Sequence, residues 1–179
     1  SKKIDWSPRV GMVYACAQKN FGPAGLTIAI IREDLLARKS HPACPAIFQN
    51  KLQADNGSMY NTPNTFAIYV SGLVFEWLLK DIGGLPAMEE RNRSKAQKLY
   101  DFIDNSEGYF VNPVNKRDRS KMNITFIFGP KGPKDVAAAE KAFLSEAAKQ
   151  GLVTLAGHRS VGGFRASIYN AQPLEGIDK

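Results

Sequence analysis

Two short apolar runs rich in β-branched residues, Val10 to Ala17 and Leu26 to Ile31, predict a pair of buried strands. Between them Asn20-Phe21-Gly22-Pro23-Ala24-Gly25 reads as a turn. A short helix is predicted next, opened by Arg32-Glu33-Asp34 with Leu35 and Leu36 on its apolar side. From Lys39 to Thr65 the periodicity fades among turn-forming clusters, Asp55-Asn56-Gly57-Ser58 and Asn61-Thr62-Pro63-Asn64. Met59 and Tyr60 among them favour an ordered, functional loop over a disordered one. Helical spacing returns over Phe66 to Leu79. The Gly83-Gly84 pair then marks a break, and we place a domain boundary there. Leu85 to Ile103 predicts a long amphipathic helix with Glu89, Glu90, Arg91, Arg93 and Lys95 on its polar side. Strands are expected at Tyr109 to Val111, Met122 to Phe128, Leu152 to Leu155 and Phe164 to Tyr169. An alanine-rich helix is expected over Lys134 to Lys149. Such alternation predicts α/β layers.

Composition narrows the class. The chain has 179 residues, 44% hydrophobic and 23% charged, the balance of a globular protein. Its only cysteines, Cys16 and Cys44, argue against a disulfide framework and for a reducing compartment, the cytoplasm. Neither has a partner at metal-site spacing, so no metal is expected. The longest apolar stretch, Phe66 to Leu79, is interrupted by Gly72 and Glu76, and no membrane span is expected. Ser1 to Trp6 lacks signal-peptide character, and both ends read as cuts within a longer protein. The net charge of +7 allows nucleic acid, an anionic surface or anionic small molecules as partners. The densest basic group, Lys116 to Lys121, contains Asp118 and no aromatic residue. A nucleic-acid binder is set aside on that ground.

Four groups carry candidate chemistry. Lys19 stands where the first strand runs into the glycine turn. A lysine against a packed strand loses solvation of its charge, which favours the neutral, nucleophilic amine; the alternative is the first solvated residue after a strand. Ser58-Met59-Tyr60-Asn61-Thr62-Pro63 precedes a predicted helix, and Asn61 and Thr62 there fit either an anion site or plain N-capping. Gly157-His158-Arg159-Ser160-Val161-Gly162-Gly163 places a His-Arg pair before two glycines. It fits a phosphate or carboxylate contact, or a basic surface turn. Arg165 lies in an alternating strand and either meets an anion or faces solvent. A cofactor with an aldehyde and a phosphate, and a substrate with a phosphate and a carboxylate, would use all four.

Several stretches resemble the phosphoserine aminotransferase family of fold-type I pyridoxal-phosphate enzymes. They are Ala17 to Gly25, Ser58 to Pro63, Met88-Glu89 with Arg91-Asn92, Arg119 to Ile124, and Gly157 to Ser167. The likeness runs in order over nearly the whole chain, and the His-Arg-Ser-Val-Gly-Gly loop with its Arg-Ala-Ser continuation is its most specific part. The resemblance implies the C-terminal half of the enzyme. Residues 1–84 would end the large cofactor-binding domain, and residues 85–179 would form the small C-terminal α/β domain. It implies that Lys19 binds pyridoxal 5'-phosphate covalently and shuttles the substrate proton. Gln18 would contact the cofactor phosphate, while Asn61 and Thr62 would reach that phosphate in the neighbouring subunit's site, which requires a homodimer. His158 and Arg159 would hold the phosphate of phosphoserine, and Arg165 the α-carboxylate. The reaction implied is amino transfer between glutamate/2-oxoglutarate and 3-phosphohydroxypyruvate/phosphoserine, in serine synthesis. The family's N-terminal half, with further cofactor contacts, lies outside these residues. So does the short helix that follows Pro173-Leu174-Glu175. Cys16, Asn64 and Thr125 to Phe128 depart from the family pattern. An alternative is a non-catalytic fragment acting as a dimerisation or anion-binding module.

Overall fold

The computed structural model describes residues 1–4 and 6–179. They form two compact units, Lys2–Leu85 and Pro86–Lys179, with Ser1 counted in the second.

In the first unit, β1 (Met12–Cys16) and β2 (Thr27–Ile31) pair antiparallel, with Tyr14 opposite Ala29 and Cys16 opposite Thr27. Both strands were expected to be buried, and they are not. Met12, Tyr14 and Cys16 are exposed, because a sheet of only two strands leaves one face open within this unit. Helix α1 (Glu33–Leu36) follows as expected. The stretch expected to be a loop contains a 3₁₀ turn, Ala46–Phe48, and a helix, α2 (Asn50–Asp55). A Lys51–Asp55 ion pair of 2.8 Å supports α2, whose six residues are too few to impose visible periodicity. Helix α3 (Thr65–Lys80) starts at Asn64, whose side-chain oxygen accepts from the Ala67 N–H at 3.1 Å.

The second unit opens with α4 (Leu85–Asp104), and then alternates β3 (Phe110–Val111), β4 (Asn123–Phe128), α5 (Val136–Lys149), β5 (Phe164–Ser167) and α6 (Glu175–Asp178). The sheet is antiparallel in the order β3-β4-β5. Ile124 pairs with Ala166 and Phe126 with Phe164, so alternate positions of β4 and β5 line one face. Ala96, Tyr100 and Ile103 of α4 pack there, with Phe143 and Leu144 of α5 against them. Phe143 and Phe164 stand 4.5 Å apart between ring centres. The opposite face carries Thr125 and Arg165, which pair across the strands. This is an α/β unit whose helices cover one side and leave Arg165 on the other.

Three expectations need correction in this unit. Leu152 to Leu155 is not a strand: Thr154 sits at φ 60°, which breaks an extended run, and only Ala156 forms a bridge, with Phe164. The chain completes one helical turn, α6, after Leu174. Lys95 does not lie on a polar face; its side chain is fully buried. Met88, Asn92, Lys95, Ala96, Tyr100 and Ile103 are the buried residues of α4, and Lys95 falls in that stripe at Met88 + 7.

Burial pushes Lys95 down from its ordinary 10.5 to about 8, and the positive charge of Arg91 adds to the shift. The unfolded chain keeps that proton up to about pH 10.5, so it binds more protons than the folded one between the two values. Stability from this group therefore rises with pH across that window. The expected result is an unfolding free-energy difference, wild type minus Lys95→Met, that grows from about pH 8 to 10. A difference that stays flat contradicts it.

Candidate active site

The turn that carries Lys19 is built from both sides. The Ala17 N–H donates to Leu26 O at 2.8 Å and closes the end of the β1–β2 ladder. Ala17 O then accepts from the N–H groups of Lys19 and Phe21, which reverses the chain. Gly22, at φ 148°, lies against Ser71 of α3, where a Cβ would meet the Ser71 hydroxyl and main chain. The Phe21 ring meets Phe75 edge-on at 6.0 Å. A fully buried Ala67 and a nearly buried Ser71 complete the seat on α3.

Gln18 and Lys19 stand side by side at the apex, and both are exposed. The burial expected for Lys19 is absent within this unit. The strand beneath it is itself half-open. Asn61 and Thr62 are exposed in the segment leading to α3. The capping role that competed for them falls to Asn64, which leaves their side chains outside the helix start. Asn64 was marked by sequence as a departure from the family pattern; its work as a cap was missed. Gly25 of the Lys19 turn abuts that same Asn64 side chain.

In the second unit the His158 loop is closed on itself. The Gly157 N–H donates to Gly163 O at 2.8 Å, and the Val161 and Gly162 N–H groups both donate to His158 O at 2.8 Å. Gly163, at φ 64°, is required, since a Cβ would strike Phe126 O at 2.8 Å and the Ile127 side chain. His158 Nδ1 accepts from the Ser160 N–H at 3.3 Å and lies 2.7 Å from its hydroxyl. An Nδ1 that accepts leaves the ring proton on Nε2, so the free edge of the imidazole is a donor. Arg159 is exposed beside it, with no ion pair among the described residues.

Arg165 follows six residues later on β5. Its N–H donates to Leu155 O at 2.7 Å. Its Nε is buried and has no hydrogen-bond acceptor among the described residues. A desolvated guanidinium donor without an acceptor is costly to leave unmade, and an anion is what would satisfy it. The second unit therefore joins a His-Arg loop and an arginine in want of an anion. The first joins an exposed lysine and glutamine at a rigid turn with a polar approach to α3. An amine that condenses with an aldehyde, amide and hydroxyl donors for a phosphate, and arginines for carboxylate fit the groups pyridoxal phosphate and an anionic amino acid present. Among the described residues no cluster of His, Cys, Asp or Glu could hold a metal ion, and no helix is long and apolar enough to cross a membrane.

The chain is similar to known proteins. The family model described as aminotransferase class-V matches residues 3–179. The chain is 52% identical over 178 residues to the phosphoserine aminotransferase of Ralstonia nicotianae, covering 99% of this chain and 44% of that protein. It is 55% identical over 177 residues to that of Nitrosomonas europaea, covering 99% and 46%. A crystal structure of PLP-bound phosphoserine aminotransferase from Trichomonas vaginalis superposes with a TM-score of 0.89 at 45% identity, over 99% of this chain and 48% of that one. The chain spans about half the length of the relatives it matches.

Proposed function

The chain belongs to the class-V aminotransferase family, and from that premise we propose that it is the C-terminal half of a pyridoxal-phosphate-dependent phosphoserine transaminase. The complete enzyme exchanges an amino group between glutamate and 3-phosphohydroxypyruvate, giving 2-oxoglutarate and phosphoserine for serine synthesis. It works as a cytoplasmic homodimer, in which Asn61 and Thr62 serve the neighbouring subunit's site. The observation that carries the reading is the buried Nε of Arg165, a donor without an acceptor on the strand that continues the His158-Arg159 loop.

The roles follow from the side chains. Pyridoxal phosphate, when bound, supplies an aldehyde for covalent attachment and a ring that takes up the electron pair left at the substrate α-carbon. Lys19 Nζ makes that attachment. Released by the incoming substrate amine, it would take the proton from the substrate Cα and deliver it to the cofactor's C4′. Gln18, with Asn61 and Thr62 from the partner, donates to the cofactor phosphate. Arg165 pairs with the α-carboxylate, which both substrates carry. His158 Nε2 and the Arg159 guanidinium take the phosphate of phosphoserine.

The test is glutamate formation by the complete enzyme from phosphoserine and 2-oxoglutarate. Glutamate is expected with phosphoserine and at a far lower rate with serine. Equal rates with both, or no glutamate at all, contradict the proposal. Retained dimerisation and anion binding without turnover would favour the non-catalytic module.

A further inference from the structure

Lys95 is fully buried, and among the described residues it meets no carboxylate. Its Nζ donates instead to three main-chain carbonyls, Ile168 O at 3.2 Å, Tyr169 O at 2.7 Å and Gln172 O at 3.0 Å. An ammonium has three N–H bonds, and here each has an acceptor. One turn earlier on α4, Asn92 Nδ2 donates to Asn170 Oδ1 at 2.8 Å. Helix α4 thus grips the segment that follows β5 at four points, across more than 70 residues of sequence.

Filling space does not require this. A methionine would occupy the same volume without a charge to desolvate, so a lysine here is explained by the carbonyls it gathers. The segment it gathers is the exit of β5, three residues beyond Arg165. The Ile168 N–H donates to Met122 O at 2.8 Å, the last main-chain bond that ties this strand to the β4 side. Past that bond the chain turns, and Lys95 fixes where. Upstream, the strand is set by Gly163 and by the Arg165 N–H bond to Leu155 O. The guanidinium of Arg165 therefore sits on a four-residue strand pinned at both ends, and the downstream pin is Lys95.

We infer that Lys95 is a positioning residue for Arg165: by drawing together the carbonyls of Ile168, Tyr169 and Gln172 it fixes the end of β5, and with it the pose in which Arg165 meets a substrate carboxylate. This rests on the reading that Arg165 binds the α-carboxylate. It assigns no direct substrate contact to Lys95.

The experiment uses the complete, cofactor-loaded enzyme with Lys95→Met, Lys95→Gln and Arg165→Ala. Lys95→Met is expected to raise the KM of both phosphoserine and glutamate, and the inhibition constant of propionate, by on the order of tenfold. The kcat should change less than about threefold, and the visible absorbance of the bound cofactor should not change. Lys95→Gln, which keeps an N–H donor, should fall between. Arg165→Ala should raise the same three constants further. Lys95→Met or Lys95→Gln that lowers thermal stability alone, with KM and the propionate constant unchanged, overturns the inference and leaves the carboxylate role of Arg165 standing. Should Lys95→Met fail to fold, the Lys95→Gln constants decide in the same way. Arg165→Ala with unchanged constants overturns the carboxylate reading itself, and the role of Lys95 with it.

Discussion

Lys19→Ala in the complete enzyme is expected to lower transamination by at least roughly 10³-fold, because one side chain supplies both the covalent attachment and the proton transfer. The bound-cofactor absorbance should change at the same time, since the covalent link is lost. The fold should not change. Lys19 is exposed at the apex of its turn, and the turn is held by other groups: the Ala17 main chain, the Gly22–Ser71 contact and the Phe21–Phe75 rings. In the cofactor-free enzyme the unfolding midpoint should therefore move little, by a free energy within about 0.5 kcal/mol. Loss of turnover with an unchanged midpoint separates a chemical role from a structural one. An active Lys19→Ala enzyme would remove the basis of the account.

His158→Ala and Arg159→Ala are expected to weaken phosphoserine selectively. A hydrogen bond to a charged group contributes about 1.5–3 kcal/mol, which is roughly 10- to 150-fold in affinity. Each replacement should raise the KM of phosphoserine by an amount in that range. An unphosphorylated amino acid should change by less than about threefold, because its α-carboxylate goes to Arg165 and not to the loop. Arg159 should give the larger effect, since its fork can meet two phosphate oxygens while His158 offers only Nε2. His158 also closes the loop through Ser160, so His158→Gln helps to separate the contact from the closure. Equal losses on phosphorylated and unphosphorylated substrates would argue against phosphate recognition by this loop.

Much of this was legible in the sequence, for identifiable reasons. Helices α3, α4 and α5 are long enough for a 3.6-residue stripe to declare itself, and their predicted bounds lie within two residues of those observed. The two hairpin strands were placed by their β-branched runs, but their burial was misjudged. An apolar strand signals that a cover exists, not that the cover lies within the same 179 residues. Exposed Tyr14, Phe66, Tyr69 and Leu79 carry the same message. Helix α2 was missed because six residues give no period. Leu152 to Leu155 has the composition of a strand and is not one, because propensity does not see the left-handed φ of Thr154.

The candidate site divides the same way. Lys19 and the His158-Arg159 loop stand as candidates through their turn chemistry and their likeness to a family. The buried state of the Arg165 Nε needed coordinates, because strand alternation offers either face. Lys95 was hidden by its own charge. Read as polar, it was assigned to solvent, although its spacing from Met88 and Ile103 put it on the buried stripe. A charged residue at a core position in a helix is a cue to ask which acceptors it meets, and here they are three carbonyls.

The most direct measurement traps the covalent link. The complete enzyme, loaded with pyridoxal phosphate, is reduced with borohydride, digested and mapped by mass spectrometry. The account predicts one pyridoxyl phosphate per chain, on the peptide that contains Lys19, and none on that peptide in Lys19→Ala. Stoichiometric label on any other lysine, or no label at all, contradicts it.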